Sequence, residues 1–333
     1  MNTIHNKPEQ MVENMIDGYV KANKELLNRV SGTKAIYLKN QSPYVKILSG
    51  GGAGCEPMYL GYCGLNMADA IVCGNVFSAP PATALLRTIH HLDNMMGILM
   101  VTGNYVGDVL NYQLAIELCE YEGIKAKAVF VGDDILHAPK PKSNERRGIT
   151  GIMCVIKAAA GAAVEGLELD EVERIALKAS HNLGTVSATF WPGYRPETGV
   201  LMYEMKNDEI EIGMGFNGEP GVLRMKMPDS NTLAKTLLNY LIEDMMLEPE
   251  DDILLIVNGK GGTSNIELFV FADSLHCYLD LKGINTYKTE VGNFFTAPGM
   301  GGVSVTIMKL DDELKHYYNK DSYTPMYMFK AHR

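Results

Sequence analysis

With 333 residues, 46% hydrophobic and 21% charged, and a formal net charge of −10, the chain is long enough for two globular domains. That charge repels a nucleic-acid backbone. Six scattered cysteines give no zinc or disulfide framework, the N-terminal residues lack a signal-peptide core, and the longest apolar run, about residues 152–164, is broken by Lys157 and too short to cross a bilayer. The expectation is a cytoplasmic protein with reduced thiols, no metal site, and no nucleic-acid or membrane contact.

In chain order, residues 8–29 read as a surface helix, polar with spaced apolar positions. Residues 45–48 form a short strand that runs into a glycine-rich loop, Ser49-Gly50-Gly51-Gly52-Ala53-Gly54-Cys55-Glu56-Pro57. Pro80 and Pro81 open a helix reaching residue 92, because a missing N–H costs little in a first turn. Residues 98–101 have the length and apolarity of a buried strand. From about 109 to 121, Leu110, Leu114 and Leu118 recur at helical spacing, and Gly123 stops the helix. A strand at 126–131 and helices near 150–164 and 169–182 follow. This alternation predicts an α/β layered domain with a largely parallel sheet over residues 1–185. Turn formers crowd residues 191–199 at the crossover. Residues 209–212 alternate as a strand should and deliver the chain to a second glycine loop, Gly213 to Gly221. A helix near 230–246, a strand at 253–257, a helix at 265–281, and strands near 285–291 and 302–309 make a second α/β domain, 186–333.

The two glycine loops carry the chemistry. Each follows a strand and ends in Glu-Pro, and glycine at this density lets the main chain come close to a ligand and present N–H groups. Two such loops suggest one small, oxygen-rich ligand held by backbone, although either loop alone reads as a tight turn. Gly213-Met214-Gly215-Phe216-Asn217-Gly218 matches a dinucleotide fingerprint formally, but Glu219-Pro220-Gly221 stands where a helix must open. Neither Gly50–Gly54 nor the run Gly259-Lys260-Gly261-Gly262-Thr263-Ser264 has the spacing of a phosphate-binding loop. If a nucleotide takes part in the chemistry, no motif here shows this chain binding it.

The run Leu48 to Gly54 with Glu56-Pro57-Met58, the segment Asn104-Tyr105-Val106-Gly107-Asp108, and Gly215-Phe216-Asn217-Gly218-Glu219-Pro220-Gly221 resemble dihydroxyacetone kinases, specifically their dihydroxyacetone-binding subunit. Arg146-Arg147-Gly148 and Val257-Asn258-Gly259 also match family runs, so the likeness covers nearly the whole chain in order. The resemblance implies a homodimer of two-domain α/β subunits that binds a short-chain ketose through Gly51, Gly52, Ala53, Gly54, Cys55, Gly103, Asp108 and Asn217. It also implies that this chain holds no cofactor. ADP/ATP and Mg belong to a partner subunit, recharged by a phosphoryl carrier protein of the sugar phosphotransferase system.

The departures from the family pattern are three. Where the family has a histidine that adds covalently to the ketone, this chain has Asn217, whose amide lone pair is delocalised and cannot act as a nucleophile. Cys55 replaces the histidine that polarises the substrate, and Gly103 replaces a lysine. Asp108 remains as the candidate base for the ketose hydroxyl, although at a helix start it also reads as an N-terminal cap. Cys55 reads as a buried inert thiol, and Asn217 either bonds the ligand or stabilises its own turn. Glu56 and Glu219 read as braces for their loops. Two functions follow: a kinase subunit that uses Asp108 without the covalent hemiaminal, or a non-catalytic metabolite sensor acting through a partner protein.

Overall fold

The computed structural model describes residues 2–40 and 42–331. Met1, Gln41, His332 and Arg333, which include both outer ends of the expected domains, lie outside the described residues. The chain divides into two compact units, each with its own six-stranded sheet. The first is built from Ile4–Val131, Ile152–Ser180 and the stretch from Asp312 onward, and the second mainly from Gly132–Gly151 and His181–Asp311.

The first unit runs through α1 (Met11–Ala22), β1 (Leu27–Val30), β2 (Ala35–Leu38), β3 (Lys46–Ala53), β4 (Ala70–Val76), α2 (Ala82–Leu92), β5 (Ile98–Gly103), α3 (Val106–Tyr121), β6 (Ala126–Val131), α4 (Ile152–Val164) and α5 (Leu169–His181). Its sheet has the order β1-β2-β4-β3-β5-β6, with β4, β3, β5 and β6 mutually parallel. Leu48, Ala70, Val72, Ile98 and Met100 on the sheet pack with Leu85 and Ile89 of α2 and with Tyr112 and Ala115 of α3. Helix α4 packs against β3 and β5 and is buried from Ile152 to Ala163. A helix that is apolar all round belongs inside a fold, and its presence lets a parallel sheet be covered.

In the second unit come β7 (Leu183–Trp191), β8 (Glu209–Ile212), β9 (Leu223–Lys226), α6 (Ser230–Met245), β10 (Asp252–Gly259), α7 (Asn265–Lys282), β11 (Asn285–Gly292) and β12 (Gly301–Lys309). The order is β11-β10-β12-β7-β8-β9, with β10 and β11 parallel and the remaining neighbours antiparallel. Leu237 and Leu241 of α6 and Leu268 and Leu275 of α7 bury their side chains with Val186, Leu255, Val305 and Ile307. A capping box between Ser264 and Glu267 starts α7, and Gly283 at φ 68° ends it. Helix α8 (Asp312–Tyr318) then returns to the first unit, where Glu313 pairs with Arg174 at 2.6 Å and Lys178 at 2.5 Å.

The α/β class and most predicted elements stand, with three corrections. The helix expected over 8–29 ends at Ala22, because Leu27–Val30 is taken as a strand by pairing with β2. The run Gly50–Ala53 is not loop but the end of β3, in register with β4. Third, one cut near residue 185 does not separate the units, since that position falls inside β7. The segment 132–151 belongs with β7 because buried Asp133 accepts from Ile149 N at 2.7 Å, Gly151 N at 2.8 Å and Thr185 Oγ1 at 2.5 Å. The C-terminal stretch belongs with the first unit because Tyr323 pairs with Leu65, and the buried Lys157 Nζ donates to Lys320 O at 2.7 Å and Ser322 Oγ at 2.6 Å.

Candidate ligand-binding site

Strand β3 continues to β4 on one side and has β5 on the other, so the strand order reverses between β3 and β5. Open α/β sheets leave a crevice at the carboxyl ends of strands at such a point. Gly54 and Cys55 leave β3 there, Gly103 ends β5, and Asp108 lies in the first turn of α3. Tyr105, not Asp108, occupies the cap position of α3, and it makes no side-chain capping bond. Asp108 therefore does not serve as the cap. Only 6% exposed, it has a carboxylate oxygen, Oδ1, without a hydrogen-bond partner. Burial raises its pKa from 3.8 to about 7. A buried acceptor left open in this way is rare in folded proteins, and a pKa near neutrality suits a general base.

The glycines of β3 are demanded by the protein's own packing. A Cβ on Gly50 would sit 2.1 Å from Val72 O, one on Gly51 2.2 Å from Tyr59 Cε2, and one on Gly52 2.7 Å from Ser78 N. Gly50 O accepts from Thr102 Oγ1 at 2.7 Å and Tyr112 OH at 2.9 Å, which ties β3 to β5 and α3. Ala53 is buried and its carbonyl accepts from Phe77 N at 2.9 Å. Glu56 Oε1 accepts from Gly54 N at 3.0 Å and so braces its loop. Tyr59 OH accepts from Gly103 N at 3.4 Å, and its own pKa is pushed up by burial and by Asp108. Cys55 is buried. At Gly103 a Cβ would lie 3.0 Å from Tyr105 Cε2 and 3.1 Å from Ile152 Cδ1, so a longer side chain there would have to displace both.

Asn217 lies in the second unit, exposed on the loop between β8 and β9 whose first residues, 213–216, are buried. Its backbone N–H donates to Glu219 Oε2 at 3.0 Å and its amide to Oε1 at 3.3 Å, so in this structure it braces its own turn. Beneath the loop is a buried charge cluster. Arg147 Nε donates to Asp134 Oδ2 at 2.7 Å and Nη2 to Gly213 O at 3.1 Å, and Nη1 lies 3.8 Å from Glu219 Oε2. Glu211 accepts from Gly221 N at 2.6 Å and Arg224 Nε at 2.8 Å. Lys260 Nζ donates to Thr189 Oγ1 at 2.7 Å and Met214 O at 3.0 Å, and burial lowers its pKa from 10.5 to about 7. Asn258 holds the turn after β11, accepting from Phe294 N at 2.7 Å and Phe295 N at 3.1 Å.

The first unit thus brings together Gly51, Gly52, Ala53, Gly54, Cys55, Gly103 and Asp108, and the second carries Asn217. Among the described residues there is no group of three or more His, Cys, Asp or Glu able to hold a metal ion, and no helix long and apolar enough to cross a membrane.

The Dak1 domain pattern matches residues 17–326. The chain belongs to the Dak1 domain family. Among Dak1 relatives, it is 37% identical over 314 residues to the dihydroxyacetone-binding subunit DhaK of PTS-dependent dihydroxyacetone kinase 1 from Listeria innocua, covering 94% of this chain and 95% of that one. It is 35% identical over 327 residues to a D-erythrulose kinase from Mycolicibacterium smegmatis, covering 98% of this chain and 56% of the relative. Among solved structures, the dihydroxyacetone kinase operon co-activator Dha-DhaQ superposes with a TM-score of 0.88 at 28% identity, over 99% of this chain and 100% of that one.

Sequence reasoning missed Tyr59, Thr102 and Tyr112, which hydrogen-bond the backbone of Gly50 and Gly103, because no spacing links them. Arg147 was within reach through its family run. Lys260 sits in the run 259–264 set aside for its wrong phosphate-loop spacing, and only burial distinguishes it.

Proposed function

We propose that this Dak1 chain is the substrate-binding subunit of a kinase-like phosphotransferase acting on dihydroxyacetone or a related short-chain ketose. The observation that carries the reading is Asp108: buried at a strand-order reversal, with an unpartnered oxygen and a pKa of about 7. In this mechanism Asp108 accepts the proton of a ketose hydroxyl as its oxygen bonds to the donor's terminal phosphorus, while the bond from that phosphorus to ADP breaks. Positioning and charge stabilisation dominate such transfers, so they proceed without a hemiaminal at position 217. ATP and Mg reside on a partner subunit recharged by a phosphoryl carrier, and the chain acts as a cytoplasmic homodimer. Support for a short-chain ketose comes from relatives named for dihydroxyacetone and for D-erythrulose.

A second reading has its own support. The likeness to an operon co-activator spans the whole chain, and Cys55 and Asn217 stand where the resemblance implies imidazoles. On that reading the chain senses a metabolite and signals through a partner protein. Reconstitution with a cognate ADP-carrying subunit and carrier separates the two. Turnover that Asp108→Asn abolishes, with ligand binding only modestly weakened, supports the kinase. A ketose that stabilises the protein, by about 2.7 kcal/mol at one hundred times Kd, yet is never phosphorylated supports the sensor.

A further inference from the structure

Between helices α6 and α7, over strands β7 and β12 of the same unit, lies a pocket of about 310 Å³. Its floor is Leu233, Phe271 and Val303, at 2%, 4% and 2% exposure, and Phe190 forms a wall. Met227, Ile266 and Val270, each more than half exposed, make the rim. Three polar side chains also line it, and all three are engaged within the protein. Ser230 Oγ shares a hydrogen bond with Ser274 Oγ at 2.8 Å. Thr263 Oγ1 donates to Gly302 O at 2.5 Å and accepts from Gly302 N at 2.8 Å, and Glu267 Oε2 accepts from Ser264 N at 3.1 Å. Water between such walls finds few partners, and an apolar group that displaces it gains affinity. An anionic headgroup is opposed by Glu267 and by Asp229 beside Ser230, acids that serve the starts of α7 and α6. A ketose with an oxygen on every carbon is equally unsuited to these walls.

We propose that this pocket is a second binding site, for an uncharged ligand that is mostly hydrocarbon. An apolar cavity of about 150 Å³ holds a benzene ring, so this pocket takes about ten to twelve non-hydrogen atoms, and its volume stands at the lower end of ligand sites. The floor residues are almost closed off while the rim is open, which suits a slender alkyl chain entering by its end. Every lining residue belongs to the second unit, so the site depends neither on Asp108 nor on the ketose-binding reading above.

The chain's single tryptophan, Trp191, has its ring centre 6.3 Å from that of Phe190 and reports on the pocket, because bromine quenches indole fluorescence at contact range. The test titrates the full chain with ω-bromodecanol. The expected result is saturable quenching that dihydroxyacetone does not compete away, with affinity about tenfold or more weaker in Val270→Arg, in Val303→Phe, and for ω-bromodecanoate in place of the alcohol. Val270 is exposed, so Val270→Arg carries the comparison even if Val303→Phe does not fold. Quenching that rises without saturation, that saturates equally in Val270→Arg, or that dihydroxyacetone competes away overturns the proposal. Equal affinity for ω-bromodecanoate overturns it too, since the site would then take anions. Quenching that fades as protein concentration rises, with Val270→Arg converting a dimer to a monomer, would make the pocket a contact between two copies and likewise overturn it.

Discussion

Replacing Asp108 by asparagine separates its chemistry from its cost to the fold. Burial takes the carboxyl from 3.8 to about 7, about three decades in proton affinity. At about 1.4 kcal/mol per decade, ionising Asp108 costs the folded state about 4 kcal/mol. The folded form holds this proton more tightly than the unfolded chain, so the stability linked to protonation is complete below pH 3.8 and is lost as pH rises through 7. Asparagine keeps the shape and has no charge to desolvate. Asp108→Asn is therefore expected to be increasingly more stable than wild type from pH 4 to 8, levelling off above that, while phosphoryl transfer is lost at every pH. Urea unfolding of both proteins across pH 4 to 9 measures the difference. A stability difference that stays flat across that range would refute the reasoning, because it would mean that Asp108 is not desolvated in the native protein.

Lys260→Met is expected to stabilise the protein with the opposite pH sign. The lysine's folded pKa of about 7 lies below its unfolded value, so wild type loses stability as pH falls from 10.5 to 7, and the variant's advantage grows over that range to about 5 kcal/mol; a pH-independent difference in urea midpoints counts against this. Gly50→Ala places a methyl 2.1 Å from the Val72 carbonyl, backbone that cannot swing aside, and should cost about 3 kcal/mol or more in denaturant unfolding; a variant of wild-type stability would mean that β3 and β4 separate readily. Dihydroxyacetone should leave no adduct on residue 217 by intact mass and mapping, since Asn217 offers no nucleophile. Installing Cys55→His, Gly103→Lys and Asn217→His together is expected to cost about 1–3 kcal/mol through the lysine, which must displace the Tyr105 ring and Ile152 methyl. A folded triple variant that forms no covalent ketose adduct would show a pocket diverged beyond those three positions.

Periodic and bounded segments were legible from sequence. The apolar run of β5, the helix ending at Gly123 and the capped α7 each announce themselves within a dozen residues. Strands β1 and β7 were not legible, because what makes them strands is pairing with β2 and β12. The glycines of β3 are visible in the sequence, but the packing that demands them is not: Val72, Tyr59 and Ser78 stand against them, and these partners lie 8 to 26 residues away. Asp108 could be named as a candidate, but excluding it as the cap needed the position of the α3 start, and its open Oδ1 came only with the fold.

By itself the sequence determined the α/β class, the two glycine-rich runs with their Glu-Pro ends, and the residue types that chemistry has to work with: an amide at 217, a thiol at 55, a carboxylate at 108. These follow from local periodicity and covalent structure, which no fold alters. Tertiary structure alone decided where the units divide, which glycines are packing demands, and which ionisable groups are perturbed. Lys260 and Asp108 look ordinary as letters. Their pKa values move because distant strands and helices remove their water, and desolvation is a property of the assembled fold, with no trace in the neighbouring residues.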